Sequence, residues 1–155
     1  LVVQIEAIDV SALVKSLAKL YAADAAKKNL TLSVVAPEGL MLQSSDLYVR
    51  EILQNFITNA IKYTDEGSVT IIAEPADKGV RFRVKDTGIG ISQQDQDRVF
   101  DKFFRSEDFR TRKANGTGLG LYVTMKLTRL IHAEIELQSE LNKGTTFSIF
   151  VPNLK

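Results

Sequence analysis

Strand-like segments in this chain come in adjacent pairs, and this pairing is the strongest constraint on its fold. Residues 68–75 (SVTIIAEP) and 79–86 (GVRFRVKD) alternate apolar and polar positions on either side of a short turn, and residues 134–139 and 145–151 do the same. Helical periodicity marks three other segments, residues 11–29, 44–64 and about 118–131. Such helices cover one face of a sheet, so the pattern predicts an α+β sandwich with a mostly antiparallel sheet.

Local signals refine these elements. Ser11 is the predicted N-cap of the first helix, and Ser45 or Asp46 that of the second. The first helix is expected to bury one face, made of Leu13, Leu17, Leu20 and Tyr21. Short strands are predicted at residues 5–10 and 31–36.

Composition excludes several functional classes. The chain has 155 residues, which fits one compact domain, and its net charge of +1 gives no general attraction to nucleic acid or to an anionic membrane. It contains no cysteine, so disulfide frameworks and thiolate sites are excluded. No apolar run approaches the roughly 20 residues that span a bilayer. The sequence starts without an initiator methionine, and we expect it to be one domain of a longer protein.

The second helix carries an unusual polar stripe. At 100° per residue, Glu51, Asn55, Asn59 and Lys62 fall on one face, opposite the apolar residues. A solvated face would favour Glu and Lys, because asparagine costs a helix interior roughly 0.5 kcal/mol relative to them. Amide oxygens suit a Mg²⁺ ion that is held jointly with phosphates. The stripe therefore indicates a binding function more than a solvated surface.

A carboxylate ends the strand over residues 79–86. Asp86 continues the apolar face of this strand, where an ionised carboxylate is costly unless it is hydrogen-bonded. Gly88 and Gly90 follow and leave no side chain in the way of an approaching ligand. Asp86 either accepts from a ligand N–H donor, such as the exocyclic amine of a purine, or fixes its own turn by bonding backbone N–H groups. This stretch alone leaves both interpretations open.

Glycines at alternate positions precede the last helix, in the stretch NGTGLGL at residues 115–121. Glycine is about 1 kcal/mol worse than alanine inside a helix, so a helix that begins this way needs a reason. A helix N-terminus presents unpaired N–H groups and partial positive charge, which suit phosphate. The stretch predicts a polyphosphate cradle that differs from the P-loop.

The segment between the two glycine-rich stretches is long for a loop. Residues 100–109 hold four of the eight phenylalanines, and basic residues lie among them. It is either a structural segment packed on the core, or a mobile lid whose cations meet a terminal phosphate and whose aromatic residues dock on a partner. We expect residues 92–115 to be the most mobile part of the domain.

Together these stretches resemble the catalytic ATP-binding domain of sensor histidine kinases. LQNFITNAIKYT resembles the N box, DTGIGI the first glycine box, VFDKFFR the F box and GTGLGL the second glycine box, and NKGTTFSIFVP resembles the closing strand. The resemblance implies the Bergerat fold: about three helices on one face of a mixed, mostly antiparallel sheet of about five strands, with a flexible ATP lid over roughly residues 87–117. It covers nearly all of residues 1–155 as one domain.

The resemblance also implies roles for residues. Asn59 and Asn55 would hold Mg²⁺, Tyr63 would pack on adenine, Asp86 would take the adenine amine, and Thr146 would reach adenine through water. The implied catalytic positions are Glu51, Asn55, Lys102 and Arg105. The implied ATP contacts are Asn59, Lys62, Tyr63, Asp86, Gly88, Gly90, Ile91, Gly116, Thr117, Gly118, Leu119, Gly120, Leu121 and Thr146.

A further implication is a partner. Such domains bind ATP and Mg²⁺ and transfer the γ-phosphoryl group to a histidine on a separate helical dimerisation domain, which then serves a response regulator. The one histidine, His132, follows the last predicted helix, where the family often has glycines, and is expected to be a turn or core residue. The implied location is cytoplasmic, without nucleic-acid or membrane contact, in a parent protein compatible with anchorage in a bacterial inner membrane.

Two other functions belong to the same fold. The ATPase domains of gyrase, Hsp90 and mismatch-repair proteins hydrolyse ATP with a glutamate at the position of Asn55, and an amide cannot deprotonate water. An anti-sigma-type serine kinase is the minor alternative. A degenerate binding module is disfavoured because each position of the motifs is filled.

Overall fold

The structure, a computed structural model, describes residues 3–101 and 120–155. The strands are β1 (Glu6–Asp9), β2 (Thr31–Val35), β3 (Met41–Ser44), β4 (Ser68–Ala76), β5 (Gly79–Asp86), β6 (Glu134–Glu140) and β7 (Gly144–Pro152). The helices of this part of the chain are α1 (Val10–Lys27), α2 (Asp46–Lys62), α3 (Gln93–Gln96) and α4 (Gly120–Leu130).

Five strands form the main sheet, in the order β2-β4-β5-β7-β6. The β4–β5 and β6–β7 pairs are the predicted antiparallel hairpins, and β5 also pairs antiparallel with β7. Among the described strands of this sheet, β2 and β4 form the one parallel pair. Two parallel neighbours need a long connection between them, and here β3 and α2 provide it. The predicted two-layer sandwich is thus confirmed, with the short α3 added to the three long helices.

A second, two-stranded sheet was only half predicted. The prediction included β1, which pairs antiparallel with β3. The prediction did not include β3, because a strand of four residues is too short to show a clear alternation of apolar and polar positions. The backbone N–H of Leu154 donates to the Gln43 carbonyl at 2.8 Å, so residues after β7 attach to β3.

The start of α1 differs from the prediction. Asp9, not Ser11, is the N-cap, and its carboxylate accepts from the Ala12 N–H at 3.2 Å. Ser11 therefore lies inside the first turn and donates to the Glu38 carboxylate at 3.1 Å. The prediction was wrong because an acceptor two residues upstream already satisfies the free N–H groups of the helix.

The buried face of α1 is also rotated from the predicted one. Val10, Val14 and Leu17 are fully buried and mark its centre. Leu20 lies at the margin of this arc and is 61% exposed, so its assignment to the core was wrong. Tyr21 is half-buried and packs against the core.

α2 lies between the other two long helices and is anchored by its apolar face. Ser45 is its N-cap, as predicted, and accepts from the Tyr48 N–H at 3.1 Å. Ile52 and Phe56 are buried, and the Phe56 ring stacks on Phe147 of β7 with centroids 5.0 Å apart. Fully burying one such side chain contributes about 1.5–3 kcal/mol. This packing fixes the rotation of α2 and so turns its polar stripe away from the core.

Within the described ranges, every helix is too short or too polar to cross a bilayer.

Candidate functional site

Asp86 is the buried carboxylate at the end of β5, with 8% of its surface exposed. Its Oδ1 accepts from the N–H groups of Gly88 at 2.9 Å and Thr145 at 3.2 Å. This atom therefore fixes the following turn, which was one of the two interpretations left open. Within the described ranges Oδ2 accepts no hydrogen bond of good geometry, so the second interpretation is also compatible with this arrangement.

The surroundings of Asp86 set its charge state. Burial raises the pKa of this carboxyl from 3.8 to about 6, although the bonds from Gly88 and Thr145 and the nearby Thr64 hydroxyl all lower it. The Thr64 hydroxyl is itself fully buried, and within the described ranges it makes no hydrogen bond of good geometry, so its interaction with Asp86 is a weak one. A buried polar atom without a good partner is uncommon and costly. The site thus offers a buried acceptor with a poorly bonded hydroxyl beside it, which fits a ligand with an N–H group.

Gly88 and Gly90 are required by the protein itself. A Cβ at Gly88 would overlap the Tyr63 carbonyl oxygen, and a Cβ at Gly90 would overlap that of Glu140. Gly90 also has a φ of +73°, which glycine adopts most readily. These glycines let the loop pack on the end of α2 and on the β6–β7 turn, and the expectation that they also clear space for a ligand stays a prediction.

The polar stripe of α2 faces α4. The Asn55 amide donates from Nδ2 to the Thr124 hydroxyl at 2.8 Å and to the Gly120 carbonyl at 3.3 Å. Its Oδ1 is left without a partner in the described part of the chain. Asn59, one turn further, is half-buried, and its amide makes no hydrogen bond there either. Two amide oxygens are thus available on adjacent turns.

The outer end of the stripe is separate from this pair. Glu51 is exposed and lies beside α1, where burial raises the pKa of the Tyr21 phenol and the charges of Glu51 and Asp24 raise it further. The Asn55 amide is instead bonded to α4. The predicted grouping of Glu51 with Asn55 as catalytic positions gains no support from this placement.

The C-terminal end of α2 carries Lys62 and Tyr63. The Lys62 ammonium lies 5.7 Å from the centre of the Tyr63 ring, and the Tyr63 carbonyl accepts from the Ile89 N–H at 3.1 Å. Lys28 holds this end by donating to the carbonyls of Ile61 at 2.8 Å and Lys62 at 3.1 Å. A cation at a helix C-terminus is favourable, but the sequence analysis missed Lys28 because its partners are 33 and 34 residues away.

Thr146 does not join Asp86. In the β5–β7 register, Asp86 pairs with Thr145, whereas Thr146 pairs with Lys85 on the other face of the sheet. Thr145, not Thr146, therefore shares the face of the sheet on which Asp86 lies, and the predicted adenine contact of Thr146 gains no support from its placement. Neighbouring residues of a strand point to opposite faces, so a shift of one residue is decisive.

The remaining predicted ATP contacts and catalytic positions divide into those within the described ranges and those outside them. Ile91 donates its N–H to the Ser139 hydroxyl at 2.8 Å, Leu121 packs half-buried against the core, and a Cβ added at Gly120 would meet open space. The others lie outside the described residues and stay predictions: Lys102, Arg105, Gly116, Thr117, Gly118 and Leu119.

The first part of the predicted lid over residues 87–117 lies within the described ranges, as residues 87–101. Ser92 caps the short helix α3, Val99 is 5% exposed, and the Phe100 ring meets Phe147 edge-on with centroids 6.2 Å apart. Ile91 and Phe100 of this segment therefore pack on the core, through apolar contacts that the weak periodicity did not reveal. The remainder of the predicted lid falls outside the described ranges, and the helix predicted from about Gly118 is described from Gly120 onward as α4.

His132 lies in the turn after α4, as predicted for a structural histidine. It is exposed and has a left-handed backbone with a φ of +58°.

Comparison with known proteins agrees with this arrangement. Residues 45–155 match the family model described as histidine kinase-, DNA gyrase B-, and HSP90-like ATPase. The sensor-like histidine kinase SenX3 of Mycolicibacterium smegmatis is 30% identical over 149 residues, which cover 96% of this chain and 39% of that protein. The sensor histidine kinase AtsR of Burkholderia thailandensis is 31% identical over 122 residues, covering 76% of this chain and 20% of that protein. The chain thus spans well under half of these relatives.

Solved structures show the same fold. Full-length ShkA in complex with AMPPNP superposes with a TM-score of 0.87 at 28% identity, covering 98% of this chain and 32% of that one. The catalytic domain of the histidine kinase ThkA superposes with a TM-score of 0.84 at 23% identity, covering 97% and 96%. The chain therefore belongs to the family of histidine kinase-, DNA gyrase B-, and HSP90-like ATPases, and within it is a catalytic ATP-binding domain of the sensor histidine kinase type.

Proposed function

We propose that this domain binds Mg²⁺-ATP and presents the γ-phosphoryl group to a histidine on a helical dimerisation domain of the same sensor kinase, for relay to a response regulator. The observation that carries the proposal is the arrangement of Asp86, whose Oδ1 is held by two backbone donors while Oδ2 has no hydrogen bond of good geometry in the described part of the chain. A buried acceptor of this kind selects a ligand amine, because an unpaired polar group is left behind when the amine is absent.

The base end of the nucleotide would lie between α2 and the first glycine loop. Asp86 accepts from the adenine amine, the Thr64 hydroxyl gains a partner directly or through water, and Tyr63 packs against the ring. The fit is supported by the buried Thr64 hydroxyl, which makes no hydrogen bond of good geometry within the described ranges and whose desolvation a bound base or its water would offset.

The phosphate end would lie between α2 and α4. Asn59 and the Oδ1 of Asn55, which has no hydrogen bond within the described ranges, are the protein groups that would hold Mg²⁺ or its waters. Within the described ranges no group of three or more His, Cys, Asp or Glu side chains could hold a metal ion alone. This fits Mg²⁺, which commonly takes one or two protein ligands and completes its octahedron with phosphates and water. When bound, the ion neutralises charge on the transferring phosphoryl group.

The chemistry then requires positioning more than acid–base catalysis. The acceptor imidazole is itself the nucleophile, so no glutamate is needed at the position of Asn55. The amide of Asn55 instead ties α2 to α4 through Gly120 and Thr124 and so fixes the distance between the two helices that flank the phosphates. Such preorganisation is most of what phosphoryl transfer demands of a protein.

Binding of the nucleotide is expected to depend on Mg²⁺. A non-hydrolysable ATP analogue should bind saturably in millimolar Mg²⁺, and chelation by EDTA should weaken binding at least about tenfold, or about 1.4 kcal/mol, because the amides alone cannot neutralise the phosphates. Isothermal titration calorimetry measures both values. Absence of saturable binding at high analogue concentration in Mg²⁺ would refute the proposal.

Binding should also weaken in acid through Asp86. Its pKa is about 6 in the domain without nucleotide, and the ionised carboxylate accepts from the amine much more strongly than the protonated carboxyl. The ionised fraction falls about tenfold between pH 7 and pH 5, so ATP affinity should fall by about the same factor. Purine riboside triphosphate, which lacks the amine, is the matched ligand, because its phosphates titrate as those of ATP do. A constant ratio of the two affinities across this range would contradict the role of Asp86.

A further inference from the structure

Ser139 is a half-buried serine near the end of β6, next to the turn into β7. Its hydroxyl accepts from the Ile91 N–H at 2.8 Å, lies 2.8 Å from the Thr145 hydroxyl, and donates to the Gly144 carbonyl at 3.0 Å. A hydroxyl has two acceptor sites and one hydrogen. With Thr145 as donor, these three contacts use its whole capacity.

The partners of Ser139 lie on both sides of Asp86. Thr145 supplies one of the two N–H donors that hold Asp86 Oδ1, and the loop from Gly88 to Ile91 supplies the other. Gly144 packs so closely on the Asp86 backbone that a Cβ there would overlap the Asp86 carbonyl oxygen. One side chain therefore joins the start of β7 to the first glycine loop, and these are the two segments that orient the carboxylate.

We propose that Ser139 is a positioning residue for nucleotide selectivity, which acts through Asp86 and rests on the proposed function of that carboxylate. The hydroxyl holds the donors from Gly88 and Thr145 at a fixed separation, and this keeps Oδ2 directed at the ligand amine. Without the hydroxyl, the Ile91 N–H and the Thr145 hydroxyl lose a partner. One direct link between the two segments is then missing, and the direction of the carboxylate is held less tightly.

The fold does not depend on this hydroxyl. The Gln96 amide donates from Nε2 to the carbonyls of Ile91 at 2.8 Å and Ser139 at 3.1 Å. The Asn142 N–H donates to the Ile89 carbonyl at 2.6 Å, and β6 keeps its pairing with β7. These bonds stay in place when Ser139 is replaced, so the loop remains docked while the orientation of Asp86 relaxes.

The test compares dissociation constants for ATP and purine riboside triphosphate, measured by titration calorimetry in Mg²⁺. In Ser139→Ala, ATP affinity should fall at least about tenfold and the affinity for the ligand without the amine less than about twofold. Ser139→Thr keeps a hydroxyl and should restore the ratio of ATP affinity to purine riboside triphosphate affinity that the unmodified domain shows. Ser148→Ala, a buried serine on the other face of β7, should leave the ratio unchanged.

Thr145→Val is the second variant, because it removes the same hydroxyl contact from its other end while keeping the N–H donor to Asp86. It should lower the affinity ratio as Ser139→Ala does, so a folding failure of one variant leaves the other as a test. If ATP selectivity of the unmodified domain is strong and both variants keep it, the positioning role is refuted alone. If the unmodified domain does not distinguish the two ligands, the proposed role of Asp86 fails, and the role of Ser139 fails with it.

Discussion

Replacing Asp86 by asparagine is expected to weaken ATP binding by about 100-fold or more and at the same time to stabilise the empty domain. The asparagine oxygen can still accept from Gly88 and Thr145, so the turn is kept. Its amide nitrogen takes the place of Oδ2 and directs a donor at the amine of the base. Loss of a hydrogen bond to a charged group, together with the unpaired donor, costs about 3 kcal/mol or more, which corresponds to this factor.

The gain in stability follows from the raised pKa of Asp86. The pKa is 3.8 without burial and about 6 in the folded domain, so folding favours the protonated form. The stability that the domain gains from protonation of Asp86 is complete below the unfolded pKa and is lost as the pH rises through the folded pKa. Integrated to pH 7, burial of the charge costs about 3 kcal/mol, which is an upper value for the gain from asparagine.

Urea unfolding of the nucleotide-free domain measures this effect. Asp86→Asn should raise the free energy of unfolding by about 1–3 kcal/mol at pH 7, and the gain should shrink as the pH falls from 6 toward 4. Asp77→Asn, in the exposed turn between β4 and β5, is the matched control and should change stability by less than about 0.5 kcal/mol. A gain that is absent at pH 7, or that grows in acid, would contradict the assigned charge state.

The sequence predicted those features that depend on local periodicity. The Ser45 cap, the polar stripe of α2 and the burial of Asp86 all follow from spacing along one element, since a helix or strand fixes which residues share a face. The two hairpins were equally local, because their strands are joined by short turns.

Features that depend on distant partners were not predictable in this way. Asn55 bonds to Gly120 and Thr124, which are 65 and 69 residues away, and Ser139 bonds to Ile91 across 48 residues. Thr145 and Thr146 are chemically identical neighbours, and only the strand register decides which of them lies beside Asp86. In each case the contact depends on how two elements pack against each other, and the periodicity of one element gives no information on this packing.

The amide of Asn59 is expected to be essential for phosphoryl transfer. Its replacement by alanine would remove the proposed ligand of Mg²⁺ and with it charge neutralisation near the moving group. Transfer should therefore fall at least about 100-fold, or about 3 kcal/mol in the barrier. Thr58→Ala is the matched control on the same helix, because Thr58 is exposed and bonds to the Asn55 carbonyl within the helix. Arg105→Ala is expected to lower transfer as well, through loss of positive charge near the γ-phosphate.

The most direct measurement of the central claim is transfer from γ-labelled ATP to a helical dimerisation domain of the parent protein, supplied separately. The domain alone with Mg²⁺-ATP should hydrolyse little ATP and form no stable phosphohistidine. With the dimer present, label should appear on the dimer, disappear in acid and persist in base, as phosphohistidine does, and Asn59→Ala should abolish it. Rapid hydrolysis of ATP by the isolated domain, with no label on any supplied histidine, would contradict the kinase assignment and favour an ATPase.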